Sequence, residues 1–330
     1  MKALLIGNWD GKKKYMPTDI GILKELELAF CPRNAPDEAI LAAGRDADFI
    51  AVDPMTTVSA EVIRAMPHLK LVHSEGVGYN NIALEAAKEK GVYVCNCRGV
   101  NAGAVAEQTV LLILALLRNL QAGDRAVRQG EQILWKERTM REGMRELSDC
   151  KVGLVGFGDI GRATAERLRP FGCELYYNTP RRKSEELERS CGVRYLSLEE
   201  LARTCDVISL HAPVTDRTRG MVNRDFLALM RPDAYLINTA RGDLVDNEAL
   251  REALIQGRIA GAGLDTIYPE PITADNPLVD LPASCADRVI FSPHIGGITT
   301  SSFRRAHRIL WQNIDDVSRG LRPQNIVNGL

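Results

Sequence analysis

An α/β fold in two domains, each a parallel sheet with helices packed against it, is predicted by three features of this 330-residue chain. Short apolar runs alternate with helical stretches along its length, the rhythm of parallel strands joined by helical crossovers. A glycine-spaced turn, Gly156-Phe157-Gly158-Asp159-Ile160-Gly161, follows one such run in mid-chain, whereas a fold that opened on this unit would carry the turn close to the N-terminus. Beyond His294 there is one more helical stretch and a short tail, too little for a separate core, so this segment is expected to return to the first domain. The expected boundaries are 1–100 with 298–330 for a smaller domain and 101–297 for the domain inserted into it, an arrangement that implies a hinge with a cleft.

In the first domain the apolar runs 3–6, 26–29, 49–52, 71–73 and 92–94 predict strands, and 37–43, 59–65 and 84–90 predict helices between them. Residues 101–120 are apolar on most sides, with Glu107, Gln108 and Arg118 as the strongly polar members, and predict one long buried helix. Residues 125–144 are charged and amphipathic around Trp135, and this excursion, within about 121–150, is expected to form a dimerisation arm. Strands are then predicted at 151–155, 174–177, 193–196, 207–210, 234–238, 260–264 and 288–291, with helices at 162–168, 198–203, 224–230 and 247–256 and a last one at 301–319.

With 45% hydrophobic residues the chain can bury a large core. A formal net charge of −1 gives no electrostatic reason to expect nucleic acid or a membrane surface as partner, and Lys12-Lys13-Lys14 is expected in a solvated loop. The apolar run 110–117 stops at Arg118, short of the roughly 18 residues that a membrane span needs. Met1-Lys2-Ala3-Leu4-Leu5-Ile6 is cut off by Gly7-Asn8-Trp9-Asp10, which fits a first strand better than a signal peptide, so a cytoplasmic location is expected. The eight cysteines are scattered without CxxC spacing, predicting buried free thiols and no metal site.

The turn at 156–161 lies between a predicted buried strand and a predicted helix, the context that gives GxGxxG its meaning. Gly156 permits the tight turn, Gly158 close approach of a pyrophosphate, and Gly161 close packing of helix on strand. The anion would rest on unpaired amides at the helix start, favoured by the helix dipole.

Three later loops place polar groups at strand ends, where a doubly wound sheet binds its ligands. Asn238-Thr239-Ala240-Arg241-Gly242 sets an arginine after one strand, Asp265 and Glu270 flank Tyr268-Pro269 after another, and Ser292-Pro293-His294 closes a third. A guanidinium can hold a carboxylate through two parallel hydrogen bonds, which suits Arg241 to an anionic substrate. A carboxylate such as Glu270 beside His294 would stabilise the imidazolium, making His294 an acid toward a carbonyl and a base toward an alcohol. His68, His73 and His307 have no comparable setting in the sequence, while His211 ends a strand and could line the cofactor.

These motifs, in this order, resemble the D-isomer-specific 2-hydroxyacid dehydrogenase family over about residues 72–328. The resemblance implies a Rossmann-type doubly wound parallel sheet inserted into a smaller flavodoxin-like α/β substrate domain. It implies that the amides of Val77 and Gly78 receive the substrate carboxylate, and that Thr109, in Val105-Ala106-Glu107-Gln108-Thr109, lies near the nicotinamide. The cofactor would further contact Gly156, Gly158, Asp159, Ile160 and Gly161, then His211-Ala212-Pro213 with Thr218, then Thr239 and Ala240, then Asp265, and finally His294, Gly296 and Gly297. Arg241 would bind carboxylate and polarise the carbonyl, Glu270 would orient His294, and His294 would transfer the proton. The family also implies a homodimer, and Trp135-Lys136 resembles the segment that carries a tryptophan to the neighbouring subunit's site in its glyoxylate and hydroxypyruvate reductases.

Departures from the family pattern bear on the cofactor. Asn178 stands where an acidic residue about 20 positions beyond the glycines usually holds the ribose, and Arg181, Arg182 and Lys183 follow it. A neutral residue followed by basic ones accepts a 2′-phosphate, so NADP(H) is the expected cofactor, with NAD(H) the alternative. Asp159 opposes that argument unless its carboxylate is turned away, and Asn80 and Arg98 replace the more usual Asp and Pro. The expected activity is hydride transfer between a nicotinamide and a small 2-oxo acid such as glyoxylate or hydroxypyruvate. Glu270 argues against the formate dehydrogenases of this fold, whereas phosphoglycerate or phosphite dehydrogenase activity and a dinucleotide-sensing, corepressor-like scaffold remain as rivals.

Overall fold

The computed structural model describes residues 1–330, the side chain of Ser284 apart. In chain order it runs β1 (Lys2–Ile6), β2 (Glu27–Cys31), α1 (Asp37–Gly44), β3 (Phe49–Val52), α2 (Ala60–Ala65), β4 (Leu71–Ser74), α3 (Leu84–Glu89), β5 (Tyr93–Cys95), α4 (Ala102–Leu117), α5 (Leu120–Arg128), α6 (Gln132–Glu142), β6 (Lys151–Val155) and α7 (Asp159–Leu168). It continues with β7 (Glu174–Asn178), α8 (Glu185–Cys191), β8 (Val193–Tyr195), α9 (Leu198–Thr204), β9 (Val207–Leu210), α10 (Arg224–Leu229), β10 (Tyr235–Asn238), α11 (Asn247–Ile255), β11 (Gly261–Leu264), α12 (Ala283–Ala286), β12 (Val289–Phe291) and α13 (Thr300–Ser318). Two units result, Met1–Asn101 with Ile298–Leu330, and Ala102–Gly297.

The first unit is a parallel sheet in the order β2-β1-β3-β4-β5, the flavodoxin-like winding. Its central strands are apolar on both faces because helices cover both. Leu4, Ile6, Ile50, Val52 and Val72 pack with Ile40 of α1, Ile63 of α2 and Ala87 of α3, while Ala3, Leu5, Phe49 and Leu71 pack with Leu310, Trp311 and Ile314 of α13. The C-terminal tail is sewn to β5: the Asn328 side chain accepts from the Val94 amide at 3.2 Å and donates to the Val92 carbonyl at 2.9 Å.

The second unit is a parallel sheet in the order β12-β11-β10-β9-β6-β7-β8, so the winding reverses between β6 and β9. This is the Rossmann-type arrangement, with a crevice expected at the carboxyl ends of those two strands. Leu112 and Leu116 of α4 and Ala165 and Leu168 of α7 share one cluster with Val152, Leu154 and Tyr177. Leu201 of α9, Leu227 of α10 and Leu250 of α11 cover the other face over Ile208, Leu236 and Ala262.

Several local expectations need correction. The helix expected over 101–120 ends at Leu117; Asn119 takes a left-handed φ of 48° and α5 departs at 60°. Asn tolerates that conformation better than most residues, and the turn leaves Leu120 58% exposed. The arm is two helices, α5 and α6, parted near Gly130, whose φ of 78° favours glycine. Within the arm, the Trp135 indole nitrogen lies 3.3 Å from where a side chain on Gly123 would begin, and Arg138 lies over the ring. Lys12 is not solvated but pairs with buried Glu75. α8, capped by Ser184 on the Leu187 amide at 3.3 Å, was not anticipated because its first turn is a charge run, Glu185, Glu186 and Glu188. The cysteines are all free, Cys173 and Cys191 only half-buried.

Candidate active site

β6 delivers the chain into Gly156, whose φ of +99° and close setting exclude a side chain: a Cβ there would meet the His211 carbonyl at 2.6 Å. The glycine turn is thus pressed against the loop after β9, at the reversal of the winding. At Gly161 a Cβ would meet the Gly156 carbonyl at 2.4 Å, which lets α7 start flush against the turn. At Gly158 no atom of the described residues lies within 4 Å of that position. The amides of Gly158, Ile160 and Gly161 find no acceptor among the described residues. An open, donor-rich cradle at a helix N-terminus matches the demands of a pyrophosphate. The Asp159 carboxylate accepts from the Arg162 guanidinium at 2.8 Å.

His211 supports the same fit. Its Nε2 lies 3.0 Å from the Ser209 hydroxyl, its Nδ1 is buried without a partner among the described residues, and burial pushes its pKa down to about 3. The ring is neutral, with one nitrogen left for a ligand group. Ala212 and Pro213 follow it, and the Thr218 hydroxyl donates to the Pro213 carbonyl at 2.7 Å while accepting from the Thr215 amide at 2.8 Å. Thr218, expected against the cofactor, therefore spends its hydroxyl on shaping this loop. Thr109 and Thr239 are buried with their hydroxyls 2.9 Å apart, and Thr109 also donates to the Val105 carbonyl at 2.9 Å.

At the end of β7, the Asn178 amide donates to the Leu196 carbonyl at 2.9 Å. Arg182, expected to meet a 2′-phosphate, is held by Glu188 of α8 through two hydrogen bonds of 2.8 Å. Those bonds, with one from Tyr177, hold the Glu188 carboxyl down at about 2. The charge run that forms α8 gives no sequence signal of this pair. Arg181 is exposed, and neither its guanidinium nor the Lys183 ammonium has a partner among the described residues, so the basic groups left at this strand end are Arg181 and Lys183.

Three adjacent strands, β10, β11 and β12, end in the loops that carry the polar groups. His294 sits at φ +54° with Nδ1 2.8 Å and 3.0 Å from the two Glu270 carboxylate oxygens, and its Nε2 has no partner among the described residues. Asp265, 3% exposed, braces this loop: it accepts from the Ile295 amide at 3.0 Å, the Gly296 amide at 2.9 Å and the Ser292 hydroxyl. Asp265, expected to face the nicotinamide, thus has both oxygens committed to holding His294 in a left-handed bend. The brace leaves little room, since a Cβ on Gly296 would come within 2.8 Å of it; Gly297 closes the second unit. Gln108 of α4 adds a bond to the Ser292 hydroxyl at 2.9 Å. Neither Gln108 nor Ser292 carries a signal in the sequence as a support.

Arg241 follows β10 on a turn shaped by buried Asn238, which donates to the Arg241 carbonyl at 2.8 Å and accepts from the Ala240 amide at 3.0 Å. The Arg241 side chain is exposed, with Nη1 donating to the Ala240 carbonyl at 2.7 Å. Gly242 lets this turn touch the segment that leads to Glu270: a Cβ there would lie 2.2 Å from the Tyr268 amide. The structure therefore brings the Arg241 turn, Glu270 and His294 together on one edge of the second unit.

In the first unit, the carbonyl of Val77 accepts from Asn96 at 2.7 Å and that of Gly78 from the Ser74 hydroxyl at 2.6 Å. The amides of Val77 and Gly78 have no acceptor among the described residues. His307 corrects the sequence reading, for its Nε2 lies 3.0 Å from buried Glu75, a carboxylate setting comparable to that of His294.

The family model described as D-isomer specific 2-hydroxyacid dehydrogenase, NAD binding domain, matches residues 110–296. A glyoxylate reductase of Korarchaeum cryptofilum is 35% identical over 93% of this chain and 91% of its own length. One of Thermococcus onnurineus is 38% identical over 88% of this chain and 86% of its own. Among solved structures, an acyclic imino acid reductase in complex with NADPH and D-Arg superposes with a TM-score of 0.84, at 27% identity over 99% of this chain and 100% of that one. With a family model spanning more than half its length and such relatives along most of the rest, the chain belongs to the D-isomer-specific 2-hydroxyacid dehydrogenases.

Proposed function

We propose that this protein reduces a small 2-oxo acid to the D-2-hydroxy acid, glyoxylate or hydroxypyruvate being the first substrates to try. The observation that carries this reading is the Glu270–His294 pair beside the Arg241 turn, in the same unit as the glycine cradle. The glyoxylate reductases to which the chain is similar support the substrate class. When bound, the nicotinamide supplies the hydride for the carbonyl carbon.

The chain's own groups do the remainder. The guanidinium of Arg241 keeps N–H donors beyond the one given to Ala240, enough to grip a carboxylate and draw charge toward the carbonyl oxygen. His294 donates its Nε2 proton to that oxygen as it becomes a hydroxyl, and Glu270, on Nδ1, fixes the ring and balances its positive charge. In the reverse direction the neutral ring takes the hydroxyl proton. Val77 and Gly78, whose amides have no acceptor among the described residues, offer donors for a carboxylate. Turnover with NADPH on glyoxylate, hydroxypyruvate, pyruvate and branched 2-oxo acids tests this reading. Binding of NADPH without oxidation across the panel would favour the sensing scaffold instead.

NADP(H) is the proposed cofactor, on Arg181, Lys183 and the neutral Asn178, since Arg182 is tied to Glu188. NADPH in the acyclic imino acid reductase complex supports it. Wild-type kcat/KM is expected to be several-fold higher with NADPH than with NADH, with Arg181→Ala cutting that ratio by about tenfold through the lost charged contact. A wild-type preference for NADH would overturn the assignment.

A homodimer is proposed through α5 and α6, which expose Leu120, Val127, Ile133 (63%), Leu134 (66%) and Met140 (76%). So large an apolar set on one arm marks an interaction surface. Light scattering should give twice 36.4 kDa, and Leu134→Asp should halve that mass; a wild-type monomer at micromolar concentration would refute it.

A further inference from the structure

The loop after β1, the loop after β4 and α13 meet in the first unit through three polar side chains. Glu75, 5% exposed, comes directly after β4 and directly before Gly76-Val77-Gly78. One of its oxygens accepts from the Lys12 ammonium. The other lies 3.0 Å from Nε2 of His307, which is fully buried on α13. Trp9 meets the His307 ring edge-on at 5.5 Å, Tyr15 tilts over it at 6.0 Å, and Tyr15 stacks on Phe303 at 5.2 Å. A carboxylate held this deep is costly unless both oxygens are satisfied, and breaking one partner away is costlier still.

The turn that Glu75 opens is pinned by its carbonyls. Those of Gly76, Val77 and Gly78 accept from the Cys97 amide at 2.9 Å, from Asn96 at 2.7 Å and from Ser74 at 2.6 Å. With the carbonyls held and the Val77 and Gly78 amides without an acceptor among the described residues, the turn offers donors at the carboxyl edge of the sheet. Glu75 anchors its start, and Lys12, with 18% of its side chain exposed, reaches that anchor from the neighbouring loop.

We propose that Lys12, Glu75 and His307 form a strut that presents the Val77 and Gly78 amides to the substrate carboxylate, with Lys12 and Glu75 acting as positioning residues for carboxylate recognition. This rests on the reading of that turn as a carboxylate receiver. Amides that grip the carboxylate do so in ground state and transition state alike, so loosening the strut raises KM and spares kcat. That signature differs from the loss of an acid or a polarising group.

The test uses the full chain with Lys12→Met, Lys12→Arg and Glu75→Gln, the best 2-oxo acid from the wild-type panel, and oxamate as an unreactive carboxylate probe. Lys12→Met and Glu75→Gln are expected to raise KM and the oxamate inhibition constant by about tenfold, as loss of a charge-assisted contact predicts. kcat should stay within about twofold and NADPH affinity should be unchanged, with Lys12→Arg close to wild type. Should Glu75→Gln fail to fold, the partly exposed Lys12 carries the test. Unchanged KM and oxamate inhibition in Lys12→Met, or a fall in kcat at constant KM, would overturn the strut. A wild type that turns over no 2-oxo acid would instead overturn the functional reading itself.

Discussion

His294→Asn is expected to lower kcat for 2-oxo acid reduction by about 10³-fold, the scale of a lost general acid, while NADPH affinity measured by fluorescence titration stays within about twofold. Asparagine is the informative replacement because position 294 sits at φ +54°, a left-handed conformation that asparagine tolerates and alanine resists. The bond from the Ile295 amide to the Asp265 carboxylate at 3.0 Å does not depend on the imidazole, so the loop should keep its shape. What disappears is the Nε2 proton and the charge that Glu270 balances. Retention of activity within tenfold would remove His294 as the proton donor.

Arg241→Ala should reduce kcat/KM by about 10³-fold, shared between a higher KM and a lower kcat, because the guanidinium both anchors the carboxylate and stabilises charge on the carbonyl oxygen. Arg241→Lys should recover part of kcat and little of KM, since an ammonium keeps the charge without the two-pronged grip. The turn should survive either change: its shape comes from the Asn238 side chain, which donates to the Arg241 carbonyl and accepts from the Ala240 amide, neither bond involving the Arg241 side chain. Steady-state kinetics of the two variants separates these contributions. Equal KM in wild type and Arg241→Ala would place the carboxylate elsewhere.

The alternation of strands and helices was legible because the parallel strands are covered on both faces and therefore read as unbroken apolar runs. Element ends and breaks were harder. The bend at Asn119 falls inside a stretch whose apolar character does not change, and only a left-handed φ of 48° marks it. α8 hid behind charges because it is short and packs on the sheet through few residues.

Residues 156–161, 238–242, 265–270 and 292–294 announced a chemistry by themselves, since phosphate cradles, guanidinium anchors and histidine acids demand particular residue types at strand ends. Which groups stay free for that chemistry was beyond their reach. Arg182 and Arg181 look alike along the chain, yet Glu188 claims one of them. Asp265 looks like a site residue and also braces the loop of His294, while His307 and Lys12 look unremarkable and converge on Glu75 across 232 and 63 positions. Residue type and local spacing set what a side chain can do; whether it is spent on a partner far away in sequence depends on packing, because hydrogen bonds and ion pairs are allotted in three dimensions.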